Sequence, residues 1–129
     1  MIRVLIVDDH PSVRQGVSQL LNHADGITVV GECTDGDQVL GTARDVEPDV
    51  VLMDLNLRGT SGLDATRALL RLQPWTRVLM FTASALSGNV EDAARAGAMG
   101  YLFKGGDPEA LLTALRTVAR GRTAWPAGQ

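Results

Sequence analysis

Val50-Val51-Leu52-Met53-Asp54 is an uninterrupted apolar run that leads straight into a carboxylate. It lies between Pro48 and the glycine-containing stretch Arg58-Gly59-Thr60-Ser61-Gly62, and a short apolar run bounded in this way reads as a buried strand of a parallel sheet. A charge at the end of such a strand is poorly placed for packing. It is well placed for chemistry, because open α/β sheets bind ligands outside the carboxyl ends of their strands. The stretch therefore nominates Asp54 as a nucleophile that accepts a phosphoryl group.

On both sides of this run, strand and helix patterns alternate. Ile2 to Val7 is β-rich and ends in Asp8-Asp9; Pro11 opens a helix carrying Val13, Val17, Leu20 and Leu21 and ending near His23. Ile27 to Cys33 reads as a second strand. Thr34-Asp35-Gly36-Asp37 then opens a helix with Val39, Leu40 and Ala43 on its inner face, stopped by Pro48. Beyond the third strand, a loop from Leu55 to Ser61 leads to a helix with Leu63, Ala65, Leu69, Leu70 and Leu72, ended by Gln73-Pro74. Val78 to Thr82 is a fourth strand, Ala83 to Gly88 a small-residue loop, Asn89 to Ala96 an Ala-rich helix capped by Gly97, and Gly100 to Phe103 a short fifth strand. Pro108 begins a fifth helix bearing Leu111, Leu112, Leu115 and Val118, ending near Gly121. Five strand–helix units predict an α/β fold: a doubly wound, five-stranded parallel sheet with five helices. Residues 1–121 form one domain. Residues 122–129 have no periodicity and read as a tail or a shortened linker, in which Trp125 is either a free tail residue or an anchor packing back on the fifth helix.

A chain of 129 residues is one domain by length and buries enough surface for a core without staples. A net charge of -3 argues against nucleic-acid binding by these residues, since phosphate contacts need clustered Lys and Arg. Cys33 is the only cysteine, which excludes an internal disulfide and a cysteine-rich zinc site and suits a reducing cytosol. No apolar run approaches membrane-spanning length and the N-terminus lacks a signal-peptide pattern, so the expectation is a cytoplasmic protein with no membrane partner.

Four strand ends carry polar residues: Asp8-Asp9 on the first, Asp54 on the third, Thr82 on the fourth and Lys104 after the fifth. With strand order 2-1-3-4-5 these ends share one crevice at the topological switch point. Three carboxylates there repel one another unless a hard cation resolves the repulsion, and Mg²⁺ takes oxygen ligands of this kind. A backbone carbonyl near Asn56 can complete the shell. Lys104 supplies a mobile positive charge for an anion and Thr82 a hydroxyl donor. His10 flanks the site and is read as a non-ligand, because Mg²⁺ prefers oxygen. Cys33 is read as a small core residue.

This ordered set resembles the receiver domain of bacterial two-component response regulators, a CheY-like (flavodoxin-like) fold. The matching residues are Asp8-Asp9, Asp54, Thr82-Ala83 and Tyr101-Leu102-Phe103-Lys104, and the resemblance covers about Ile2 to Gly121. Val7-Asp8-Asp9-His10-Pro11, with Gly97-Ala98-Met99-Gly100-Tyr101-Leu102, is similar to the NarL/FixJ branch, in which a helix-turn-helix DNA-binding domain usually follows. The resemblance implies Asp54 as phosphoacceptor, Asp8, Asp9, Asp54 and the Asn56 carbonyl as the Mg²⁺ site, Thr82 and Lys104 as phosphoryl contacts, and Tyr101 as an aromatic switch. It implies a sensor histidine kinase as donor, a possible homodimer, DNA contact only through an output domain outside this chain, and no separate enzymatic substrate. Asn56 and Ser84 would tune the lifetime of the phosphoryl group by admitting or blocking water. The chain departs from many family members in lacking Pro after the phosphoacceptor loop and after Lys104, where Gly105-Gly106 stands.

Competing readings are weaker. A phosphatase with an Asp nucleophile needs an acid two residues on, where this chain has Asn56. A flavin or dinucleotide site needs a glycine fingerprint after the first strand, where Asp8-Asp9-His10-Pro11 stands. A receiver-shaped interaction module that works without phosphorylation is the remaining alternative. Tyr101 taken alone also fits a half-buried aromatic on an edge strand.

Overall fold

The short apolar runs form strands, and all strand pairs are parallel. The structure is a computed structural model that describes residues 1–83 and 87–126. Its elements are β1 (Ile2–Val7), α1 (Pro11–Asn22), β2 (Ile27–Cys33), α2 (Val39–Val46), β3 (Val50–Met53), α3 (Gly62–Leu72), β4 (Arg77–Thr82), α4 (Ser87–Ala96), β5 (Gly100–Phe103) and α5 (Pro108–Ala119). The sheet order is β2-β1-β3-β4-β5, the doubly wound arrangement expected from the alternation.

Side-chain alternation splits the core in two. Val4, Ile6, Val50, Leu52 and Leu79 face α1 and α5, packing with Leu21, Leu111, Leu115 and Val118. Leu5, Val7, Val51, Met53, Val78 and Met80 face α2, α3 and α4, packing with Val39, Ala43, Ala65, Leu69, Val90 and Ala93. Because β1 and β3 are covered on both faces, their sequences are continuously apolar rather than alternating.

Helix ends follow their local chemistry. Ser61 accepts from the Asp64 N–H at the start of α3, and Asp107 from the Glu109 N–H at the start of α5. Cys33 is buried, as expected for a core residue; burial pushes its thiol pKa up, an effect reinforced by the Asp35 charge and opposed by a hydrogen bond with Thr42. The second helix differs from expectation. Asp35 caps a single 3₁₀ turn, Gly36–Gln38, and α2 proper begins only at Val39. That helix ends on Glu47 in the left-handed region (φ 48°), because Pro48 disfavours a helical residue before it. Arg3 donates to the Val46 and Glu47 carbonyls and so satisfies that strained end.

Two expected core residues are not in the core. Leu40 is 36% exposed because it lies one position off the stripe of Val39 and Ala43, and Leu72 is 65% exposed although it keeps the spacing of Ala65 and Leu69, being the last residue of α3. β4 starts one residue earlier than its apolar run, and α4 begins at Ser87 rather than Asn89.

The segment after α5 returns to the sheet. The Ala124 N–H donates to the Met99 carbonyl, and the Tyr101 N–H donates to Ala124, forming a parallel bridge opposite Gly100. Trp125 then packs, half-buried, against the core cluster that contains Tyr101. Replacing Trp125 with Ala should cost about 1–2 kcal/mol, roughly half the loss at a fully buried aromatic. Urea unfolding followed by circular dichroism should show a lower midpoint with an unchanged slope; an unmoved midpoint would mean that Trp125 carries no stability.

Candidate functional site

The three charged residues at the heart of the site each lie one position past a strand, and the sheet ladder reaches them. The Asp8 N–H donates to the Cys33 carbonyl at 3.1 Å, the Asp54 N–H to Val7 at 3.0 Å and the Lys104 N–H to Thr82 at 2.9 Å. Their backbones are therefore as fixed as the strands, while their side chains stand beyond the packed layers. Val7 pairs with Met53, so Asp8 and Asp54 emerge side by side.

Lys104 joins them. Its Nζ lies 2.5 Å from Asp8 Oδ2 and 2.9 Å from Asp54 Oδ2, with all three side chains largely buried. Burial alone would pull its pKa below the ordinary 10.5, but the hydrogen bonds and charges of Asp8 and Asp54 outweigh that and hold the value above it. Asp54 Oδ1 also accepts from the Asn56 N–H at 3.2 Å, so the residue after next orients the carboxylate. Asp9 completes the acidic set at the crevice rim, with the exposed Arg58 Nε 3.9 Å from its Oδ2.

Thr82 is fully buried at the end of β4. Met53 pairs with Met80, so Thr82 lies two residues further along β4, one past the position level with Asp54. Tyr101 pairs with Met80 from the other side and is 1% exposed, so it is a fully buried aromatic rather than a half-buried edge residue. Its ring meets Phe103 edge to face at 5.4 Å. Ser84 lies outside the described residues.

The structure thus brings Asp8, Asp9, Asp54 and Lys104 into one crevice and sets Thr82 and Tyr101 on the adjoining strands. It adds a contact that sequence reasoning missed. His10 Nδ1 stands 2.9 Å from Asp8 Oδ1 and 3.0 Å from Asp9 Oδ1, so the ring touches the acids instead of merely flanking them. The signal was available in Pro11, which starts α1 at once and leaves His10 at the N-cap, directed at the strand end. Asp8, Asp9, His10 and Asp54 each offer one donor atom within 4.8 Å of the others, a grouping that can hold a metal ion.

A doubly wound sheet of this order with an acid cluster and a lysine at its carboxyl edge defines a CheY-like receiver. The family model for the response regulator receiver domain matches residues 4–116, and the chain belongs to that family, the signalling modules of two-component systems. It is 43% identical over 122 residues to the response regulator GacA of Pseudomonas aeruginosa, covering 95% of this chain and 57% of that protein. It is 45% identical over 119 residues to the nitrate/nitrite response regulator NarP of Escherichia coli K12, covering 92% of this chain and 55% of that one. A crystal structure of a LuxR-family two-component response regulator from Aurantimonas sp. SI85-9A1 superposes with a TM-score of 0.91 at 38% identity, over 95% of this chain and 87% of that one. The likeness to these regulators places the receiver in the NarL/FixJ type. The chain spans little more than half the length of the curated relatives it matches. Among the described residues, no helix is long and apolar enough to cross a membrane.

Replacing Lys104 with Met keeps the stem and removes the charge, leaving Asp8 and Asp54 buried without a cation. In metal-free buffer this should cost about 2–4 kcal/mol, read as a lower denaturation midpoint; equal stability would refute the pairing. The pH dependence has a definite sign. Because the folded-state pKa of Lys104 is raised, the wild-type advantage is fully present below pH 10.5 and declines as pH rises through the higher folded value.

Proposed function

We propose that this chain is the phosphoacceptor part of a transcriptional response regulator, with Asp54 receiving a phosphoryl group from a phosphohistidine on a sensor histidine kinase. The observation that supports this best is the convergence of Asp8, Asp9, Asp54 and Lys104 at the carboxyl edge of the sheet. A carboxylate oxygen of Asp54 forms the new P–O bond as the P–N bond of the donor imidazole breaks. Lys104 turns from the carboxylates to a phosphoryl oxygen, and the Thr82 hydroxyl donates to another.

The donor set fits a hard divalent ion. It consists of carboxylate oxygens, and Asp9 Oδ1 is buried with no hydrogen-bond partner; the nearby His10 ring is at ion-pair distance but without hydrogen-bond geometry. Asp8, Asp9, Asp54 and the Asn56 carbonyl would hold Mg²⁺. When bound, the ion supplies charge neutralisation for the transferred oxygens. Asn56 cannot serve as an acid or base, so the phosphoryl group stays on the protein rather than being turned over from a separate substrate.

Residues 1–121 act as the receiver. Residues 122–129 lead toward a helix-turn-helix output domain of the whole protein, through which alone DNA is contacted, and the working location is the cytoplasm. Phosphorylation draws Thr82 toward the new anion and repacks the already buried Tyr101 ring into the space that Thr82 leaves, reshaping the α4–β5–α5 face and favouring homodimerisation. The names of the relatives, GacA and NarP among them, support regulation as the role.

Intact mass after incubation with a small-molecule phosphodonor tests the reading. One added phosphoryl group is expected only with Mg²⁺ present and Asp54 intact; no gain, or a gain that survives Asp54→Asn, would overturn it. Tyr101 is the only tyrosine, so fluorotyrosine labelling yields a single ¹⁹F resonance. That resonance should move on phosphorylation as the ring repacks from its buried position, whereas an identical spectrum would remove Tyr101 from the switch.

A further inference from the structure

The phosphoacceptor reading leaves His10 without a role. His10 occupies the N-cap position of α1, yet its side chain makes no capping hydrogen bond. The ring turns back onto the acids. Its Nδ1 lies 2.9 Å from Asp8 Oδ1, 3.0 Å from Asp9 Oδ1 and 3.9 Å from Asp54 Oδ2. The first approach is a hydrogen bond; the second is not, and Asp9 Oδ1 is buried and accepts none. In an octahedral shell with bonds of about 2.1 Å, adjacent donors stand about 3 Å apart and opposite donors about 4 Å apart. The His10 nitrogen keeps the first spacing from two carboxylates and comes close to the second from the third. The nitrogen's three spacings are therefore near those of a single coordination shell, and all four donor residues offer atoms within 4.8 Å of one another.

We infer that His10 is a ligand of the cation held by Asp8, Asp9 and Asp54, through Nδ1, and that this mixed nitrogen–oxygen site prefers divalent transition metals to Mg²⁺. The inference rests on the metal reading proposed above and adds to it a fourth side chain and a selectivity. Mg²⁺ takes oxygen donors and retains water, so it gains little from an imidazole. Along the series Mn²⁺, Co²⁺, Ni²⁺ the imidazole contributes progressively more. The ring is 60% exposed, so it can give way to water when Mg²⁺ binds and close on the ion when a transition metal does.

The test is calorimetric titration of the whole chain with Mg²⁺, Mn²⁺ and Ni²⁺. All variants carry His23→Ala, which removes the other histidine. His10→Ala should weaken Ni²⁺ binding by about tenfold or more and Mg²⁺ binding by less than about twofold. His10→Gln, close in size but without the imidazole, should behave like the Ala variant, separating lost ligation from lost packing. The electron spin-echo spectrum of bound Mn²⁺ should carry coupling to a coordinated imidazole nitrogen, and the coupling should vanish in both variants. Equal losses for all three ions, undiminished Ni²⁺ binding, or coupling that survives the substitution would overturn His10 as a ligand and leave the carboxylate site standing. Absence of saturable binding by any ion, or binding indifferent to Asp9→Asn, would overturn the metal site itself and this inference with it.

Discussion

The sheet ladder extends one residue past β1, β3 and β5, and the site depends on that extension. Backbone hydrogen bonds to Cys33, Val7 and Thr82 hold Asp8, Asp54 and Lys104 in register after the apolar strands have ended. Side chains that a loop would let swing into water are held at ion-pair distance and largely buried. Carboxylates concentrated in this way are costly unless matched by positive charge. Lys104 supplies part of the match from one side and the His10 ring touches the acids from the other. The acids are thus met by a lysine from the end of β5 and by an imidazole from the β1–α1 junction.

The loops around this crevice are held by close backbone approach. A Cβ on Gly62 would stand 2.1 Å from the Asp54 carbonyl oxygen, and one on Gly36 would stand 1.8 Å from that of Thr60. Both positions therefore exclude side chains, and both press the β3–α3 loop against its neighbours. Asp37 secures the same loop from the β2–α2 side, accepting from the Thr60 hydroxyl at 2.5 Å and its N–H at 3.2 Å. The loop that carries Asn56 past Asp54 is in this way tied at both ends.

The strands and the polar residues at their ends were legible in the sequence because they follow from strong local signals, whereas the strand order that brings those ends together came with the fold class rather than from any local run. Continuous apolar runs mark strands covered on both faces, and a charge directly after such a run has only the sheet edge to occupy. Leu40 was misread because apolar character alone does not place a residue on a helical stripe, and a shift of one position rotates it about 100° out of the core; Leu72 keeps the stripe's spacing but is the last residue of α3 and is left exposed. The His10 contact was missed for a related reason. Chemical preference for Mg²⁺ argued against a nitrogen ligand, whereas the position of the ring is set by where Pro11 starts α1.

The return of the chain after α5 was left open for a different reason: nothing chose between Trp125 as a tail residue and Trp125 as an anchor, because residues 122–126 have no period to read. What orders them is the open edge of β5. An unpaired strand edge presents free N–H and C=O groups, and the short Ala124 backbone answers two of them, at Met99 and Tyr101. The half-buried Trp125 then covers apolar surface in the cluster that holds the Tyr101 ring. Tyr101 therefore meets the site through its pairing with Met80 on β4 and meets the departing chain through its own N–H. A displacement of β5 therefore acts on the Met80 pairing and on the Ala124 bridge together.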